Sequence, residues 1–201
     1  MENDLLKWIL CAVIGYLLGS VSTGVLYSRS LGRDVRTAGS KSSGATNMTR
    51  VHGTVPGVIT FAGDCLKGVL AALIGKWMGG QTGAIVAGTC AVIGHNWPIY
   101  FGFRGGKGVA TCIGIGLVTY PLFGLLGVLV GTPVMLISKY VSLGSLTGIG
   151  AFAVGMTIRY GFWPLGLWAI ALFLLALWRH RGNVQRLLNG TERKMGEHAD
   201  K

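Results

Sequence analysis

Between His95 and Thr111 the chain reads HNWPIYFGFRGGKGVAT. Seven residues of it, Gly102 to Gly108, hold two cations and four glycines. Glycine lets successive backbone N–H groups turn inward as a concave set of donors, and lysine adds a full charge. Such a stretch suits a phosphate or another anion. Two further segments have the same character. GSKSSGATNMTR, Gly39 to Arg50, offers hydroxyls, amides, glycines and an arginine, and RHRGNVQRLLNGTERK, Arg179 to Lys194, offers His180, Asn183 and several arginines. One such segment alone reads equally well as a basic loop with turn glycines. Three together, each mixing cations with Gly, Ser, Thr, Asn or His, point to anion binding.

Several other chemistries are set aside by spacing. Gly102 to Lys107 fits the start of a nucleotide-binding P-loop, but Gly108 stands where Ser or Thr is required and no strand precedes it. No Ser-His-Asp or Cys-His pattern supports a covalent acyl-enzyme. No zinc-like ligand spacing is present, so neither a metal nor a cofactor is expected. Cys11, Cys65, Cys90 and Cys112 lie singly in apolar stretches and read as small buried residues.

The elements that position these segments are set by composition. Of 201 residues, 51% are hydrophobic and 12% charged, against roughly a quarter charged in ordinary soluble domains. Mean hydropathy is +0.56. The chain therefore reads as one all-α integral membrane domain over residues 1–201, with its 34 glycines suited to close helix packing in lipid. The formal net charge of +11 then reports basic loops and contact with anionic membrane lipid rather than nucleic acid.

Apolar spans are expected at Leu5–Tyr27, Val55–Met78 and Thr82–Trp97, the last two joined by a turn at GGQTG. From Val109 to Trp178 the apolar character continues, broken at TYP, SKYVS and RYGFWP into four segments. A bundle of seven transmembrane helices follows, with five as the fallback if late segments merge or re-enter. With the N-terminus outside and the C-terminus cytoplasmic, polar segments at 28–53, 98–108 and 179–201 face the cytoplasm. The cytoplasmic regions, with Lys139, then hold fourteen of the eighteen Lys and Arg residues. That is the charge bias of cytoplasmic loops.

Asp64 and Lys67, three apart in the second span, share a face. They read either as a structural ion pair or as Lys67 reaching the anion site from below with Asp64 orienting it. His95 is either a ligand or a cap at the end of the third span. His52 and His198 read as solvated surface, and Trp97, Trp163, Trp168 and Trp178 as interfacial anchors.

SKSSGATNMTR, HNWPIYFGFRGGKGVAT and HRGNVQRLLNGTERK together resemble the three motifs of the bacterial acyl-phosphate:glycerol-3-phosphate acyltransferase family, in order and spacing, over Ser40 to Lys194. The first motif departs from the family pattern, with Lys41 for the usual Gly and Ser42 for the usual Asn. In the third, Val184 stands for Ile. The resemblance implies seven transmembrane helices in the bacterial cytoplasmic membrane. It implies transfer of a fatty acyl group from acyl phosphate to the sn-1 hydroxyl of glycerol 3-phosphate, the first step of phospholipid synthesis. The products are lysophosphatidic acid and inorganic phosphate. A soluble acyl-phosphate synthase is the implied source of donor. The H-x-x-x-x-D signature of other acyltransferases is absent, since Tyr100 occupies the fifth position after His95.

Both substrates then carry phosphate. Arg50, Lys107 and Asn183 are the expected phosphate contacts, with Ser40, Ser42 and Thr46 as hydroxyl donors, Asn47 as support, and Lys67 and His95 adjoining. Backbone N–H groups of Gly105, Gly106 and Gly108 face the leaving phosphate or the oxyanion. His180 is either the base or a further phosphate ligand, and a substrate phosphate oxygen is the alternative proton acceptor. A phosphate transporter would need a polar path across the late segments, which carry almost no charge, and a repeat between halves, which is absent. A lipid-binding scaffold would need neither the Lys nor the His beside paired glycine turns.

Overall fold

The computed structural model describes residues 2–197; His198 and the end of the tail lie outside the described residues. All regular structure among the described residues is helical. The helices gather into two compact units, one taking in the chain up to Thr119 and the other running from Tyr120 to Glu197.

The first unit contains α1 (Glu2–Ser20), α2 (Thr23–Ser30), α3 (Ala45–His52), α4 (Thr54–Asn96) and α5 (Val109–Thr119). The 43 residues of α4 are two arms folded back at Gly79 and Gly80, whose backbones leave the helical region, with φ +62° at Gly80. A Cβ built on Gly75 would overlap the carbonyl of Gly83, and one on Gly83 that of Gly75. Residues eight apart in a straight helix lie about 12 Å apart, so the arms form a tight antiparallel hairpin. The turn falls where the GGQTG stretch places it.

Small residues set the packing around this hairpin. A Cβ on Gly15 of α1 would meet the carbonyl of Ala87, and one on Gly19 that of Ala91. Both pairs are four apart and both differ by the same offset, so α1 runs parallel to the second arm on a Gly-x-x-x-Gly face. Between the first arm and α5 the close pairs are Gly68 with Thr111 and Gly114 with Cys65. Their sequence sums are constant, which makes that pair antiparallel.

The second unit contains α6 (Pro121–Ser138), α7 (Val141–Tyr160), a short π turn (Phe162–Gly166), α8 (Leu167–Arg179) and α9 (Arg181–Leu188). Here α6 and α7 meet antiparallel through Gly127 against Gly148 and Gly131 against Gly144. Phe152, Ala153, Met156 and Ala169 form its buried core, with Trp168 packed on Phe152 at 5.8 Å between centroids. Trp168 is thus half-buried, one face packed against this core. Trp163 is 79% exposed and fits the anchor reading.

Among the described residues, five helices are long and apolar enough to cross a bilayer: Asp4–Ser30, Thr54–Phe101, Pro121–Ser138, Val141–Tyr160 and Phe162–Arg179. The second of these holds two of the seven segments read from the sequence, folded at Gly79–Gly80. A third, Val109–Thr119, is apolar but shorter.

Candidate functional site

The first motif forms a loop tied to one side chain. Asn47, buried in the first turns of α3, accepts a hydrogen bond from Ser40 N at 2.8 Å. Its Nδ2 faces the carbonyls of Val35 (2.9 Å), Ala38 (3.1 Å) and Ser42 (2.9 Å). An amide has two N–H protons, so two protons serve three carbonyls and at least one bond is shared. The Ser42 hydroxyl accepts from Gly44 N at 3.3 Å. Asn47 thus shapes residues 35–44 from within.

The loop delivers the N-terminus of α3, whose cap, Gly44, contributes no side-chain hydrogen bond. The first N–H groups of a helix have no intrahelical partner and carry the positive end of its dipole. Thr46 and Arg50 lie four apart on α3, hence on one face, and both are half-buried. The sequence shows this stretch as loop; the 8-residue helix is short and polar, so hydropathy does not reveal it. Lys41 sits at φ +56°, in the left-handed region that favours glycine. That explains the glycine of the family motif and marks Lys41 as a strained replacement.

The second motif leads into the N-terminus of α5. Gly105, Gly106 and Gly108 are buried and Lys107 is half-buried between them. The turn is latched to the end of α4 by Gly106 N donating to the His95 carbonyl at 3.1 Å. A Cβ on Gly106 would overlap His95 Nε2, so only glycine admits this approach. The stretch ahead of it is pinned to α1, with Tyr16 Oη donating to the Trp97 carbonyl at 2.9 Å.

Arg36 joins the two loops, and sequence reading missed it. Its Nη1 donates to the carbonyls of Phe101 (2.7 Å) and Arg104 (3.3 Å). Its Nε and Nη2 are held by Asp34 at 3.0 and 2.8 Å. The hydrogen bond and charge of Arg36 hold the Asp34 carboxyl well below the usual carboxylate range. Nothing in the local pattern distinguishes Arg36 from Arg29 or Arg33, since Asp34 also pairs with Arg29 and directly follows Arg33.

Lys67 and His95 are both buried in this unit, within 2.9 and 3.6 Å of Asp64 Oδ1. His52, expected at the solvated surface, is half-buried, with its Nε2 at 3.2 Å from the Arg33 carbonyl.

In the second unit the third motif is organised by Glu192, which the sequence reading also passed over. Its Oε1 accepts from Asn183 Nδ2 at 2.6 Å and from Ser142 Oγ at 2.8 Å, and its Oε2 from Arg186 Nε at 2.8 Å. Burial pushes the carboxyl pKa up, but the donors of Asn183, Ser142 and Arg186 outweigh it and hold it low. Because a carboxylate only accepts, the Asn183 amide orientation is fixed. His180 is buried with Nδ1 at 2.7 Å from the Ala176 carbonyl. A carbonyl also only accepts, so Nδ1 carries the proton and Nε2 is the basic nitrogen of the neutral ring. Among the described residues no group of three or more His, Cys, Asp or Glu side chains is placed to hold a metal.

Comparison with known proteins adds an independent line. The glycerol-3-phosphate acyltransferase family matches residues 9–190. A glycerol-3-phosphate acyltransferase of Thermoanaerobacter sp. (strain X514) is 43% identical, over 94% of this chain and 96% of that one. A crystal structure of PlsY (YgiH), an integral membrane glycerol 3-phosphate acyltransferase in its glycerol 3-phosphate form, superposes with a TM-score of 0.87 at 36% identity. It covers 94% of this chain and 96% of its own. The lysophosphatidic acid form of the same protein superposes with a TM-score of 0.84.

Proposed function

This chain belongs to the glycerol-3-phosphate acyltransferase family, and from that premise we propose that it moves a fatty acyl group from acyl phosphate to the sn-1 hydroxyl of glycerol 3-phosphate. The hydroxyl oxygen attacks the acyl carbonyl carbon, the bond from that carbon to the phosphate oxygen breaks, and inorganic phosphate leaves. Lysophosphatidic acid is the other product. The hydroxyl proton passes to His180 Nε2 or to a substrate phosphate oxygen. Acyl phosphate is already activated, so the chemistry needs no cofactor. Positioning and charge stabilisation supply the rate.

The observation that carries this reading is the Arg36 tie. It makes the first and second motifs one structure, with the N-termini of α3 and α5, Arg50 and Lys107 in a single unit. Two phosphorylated reactants require such paired anion-binding elements. Ser40, Ser42 and Thr46 are the proposed hydroxyl contacts, and the N–H groups of Gly105, Gly106 and Gly108 serve the leaving phosphate. In the second unit, Asn183, oriented by Glu192, is the proposed phosphate contact.

The proposed topology has seven crossings, the N-terminus outside and the three polar segments in the cytoplasm, in the bacterial inner membrane. A soluble acyl-phosphate synthase would supply the donor. The experiment uses purified protein in lipid with palmitoyl phosphate and glycerol 3-phosphate, measuring phosphate release and lysophosphatidic acid, with Lys107→Ala as control. Phosphate release that does not depend on glycerol 3-phosphate would refute acyl transfer to it.

A further inference from the structure

Asp64 lies in the first arm of α4, inside a segment apolar enough to span a membrane, and is 1% exposed. A carboxylate at such a depth is costly and needs a purpose beyond packing. Oδ1 is 2.9 Å from Lys67 Nζ and 3.6 Å from His95 Nδ1. Its backbone carbonyl accepts from Thr111 Oγ1 at 3.1 Å, at the start of α5. Two chains of contact leave this point. Through Lys67, whose ammonium donates to the Val21 carbonyl at 2.7 Å, one reaches the break between α1 and α2. There the exposed carbonyls of a helix end welcome a cation, and α2 carries on to Gly24, packed on the Ser43 carbonyl of the first motif. Through His95, whose Nε2 lies against Gly106, the other reaches the glycine turn of the second motif.

A plain ion pair would need Lys67 alone. The imidazole between the carboxylate and the turn is the additional feature: its Nδ1 lies at ion-pair distance from Asp64, and its Nε2 edge backs onto Gly106, where a side chain would overlap it. We infer that Asp64 is a positioning residue for glycerol 3-phosphate: it holds His95 beneath Gly106 and Lys67 against Val21, so that both loops of the first unit keep a preset spacing before the substrate arrives. Asp64 touches no substrate in this arrangement and acts through its two neighbours. The inference rests on the proposed acyl transfer.

The test is steady-state kinetics of the full chain in lipid, varying glycerol 3-phosphate and palmitoyl phosphate separately, for Asp64→Asn, His95→Gln and the double variant. Asp64→Asn strips Lys67 of its counter-charge and can prevent folding. His95→Gln leaves the ion pair intact and is the deciding variant. His95→Gln is expected to raise KM for glycerol 3-phosphate about tenfold, with KM for palmitoyl phosphate within about twofold. Where Asp64→Asn folds, the double variant is expected to be no worse than the worse single, because both act along one chain. A purely structural role would lower the folded fraction and kcat per milligram while leaving both KM values unchanged, and that result overturns the inference. So do fully additive effects of the two substitutions. If the unsubstituted protein itself shows no turnover dependent on glycerol 3-phosphate, the functional reading fails instead, and the two failures are told apart.

Discussion

Replacing Asn47 tests whether one side chain holds the first motif in shape. In Asn47→Ala the carbonyls of Val35, Ala38 and Ser42 and the N–H of Ser40 lose their shared partner. A net hydrogen bond contributes about 1 kcal/mol, and a buried group left unmade costs about 1–3 kcal/mol. Water can reach Ser40, Ala38 and Ser42, which are exposed or half-buried, but Val35 is fully buried. The loop's closed state should therefore weaken by about 2 kcal/mol, a factor of about 30 in its closed-to-open ratio. Amide exchange at Ser40, whose N–H bonds to the Asn47 side chain, should accelerate by about that factor in the open-state regime. Only the closed loop binds, so KM for glycerol 3-phosphate rises about fourfold where the closed form was favoured tenfold. It rises about 15-fold where the closed and open forms were equally populated. Asn47→Asp is isosteric, removes both donors and sets a charged oxygen against three carbonyls, so its effect should exceed that of Ala. Unchanged exchange at Ser40 in Asn47→Ala, or an aspartate milder than alanine, would refute the reasoning.

Gly106→Ala forces a methyl group onto the His95 ring and should raise KM for glycerol 3-phosphate more than tenfold at unchanged protein yield, read by kinetics. Lys41→Gly removes a left-handed φ from a side-chain-bearing residue; after the entropy cost of glycine, a gain of about 0.5 kcal/mol is expected, measured as a rise in melting temperature. Glu192 is held low by its donors in the fold, so its stabilisation is complete above the unfolded value of about 4.3 and is lost as pH falls through the lower folded value. Glu192→Gln should cost about 2 kcal/mol at pH 7 and flatten that acid loss in melting curves recorded below pH 5. Single cysteines at Ser40, Arg104 and Lys194 should all be labelled by an impermeant maleimide from the cytoplasmic side only. Labelling of any one from outside would overturn the proposed topology.

The helical elements were legible because their causes are local. Apolar runs and the GGQTG turn each lie within a few residues of sequence, and the structure folds α4 at Gly79–Gly80 within that turn. The two short polar helices that carry Thr46, Arg50 and Asn183 fall in stretches that the sequence shows only as a polar loop and a polar, basic tail. They are amphipathic and hold only one buried face over eight residues, too little for a hydropathy pattern to declare. The contacts of Trp168 were illegible for a related reason: only tertiary packing brings Phe152 of α7 and Tyr120, which caps α6, onto its ring.

The polar contacts divide by the same rule. The chemistry-bearing residues announced themselves by type, but the residues that orient them did not. Arg36 reaches Phe101 across 65 positions, Ser142 reaches Glu192 across 50, and Asp64 meets His95 across the α4 hairpin. Of these, the last was derivable in principle. Fixing the turn at Gly79–Gly80 makes partner positions sum to a constant, and the Gly75–Gly83 contact sets that sum within one of the Asp64–His95 value. A reader who trusts the GGQTG turn can therefore pair the second and third spans residue by residue, and the one acid in the second span falls opposite the histidine that opens the glycine motif. A one-residue shift of the turn would rotate that histidine about 100° around its helix, away from the acid and from Gly106. The loop's support and the hairpin's register are thus a single constraint, and inserting one alanine between Gly80 and Gln81 should abolish glycerol 3-phosphate turnover while leaving both arms helical by circular dichroism.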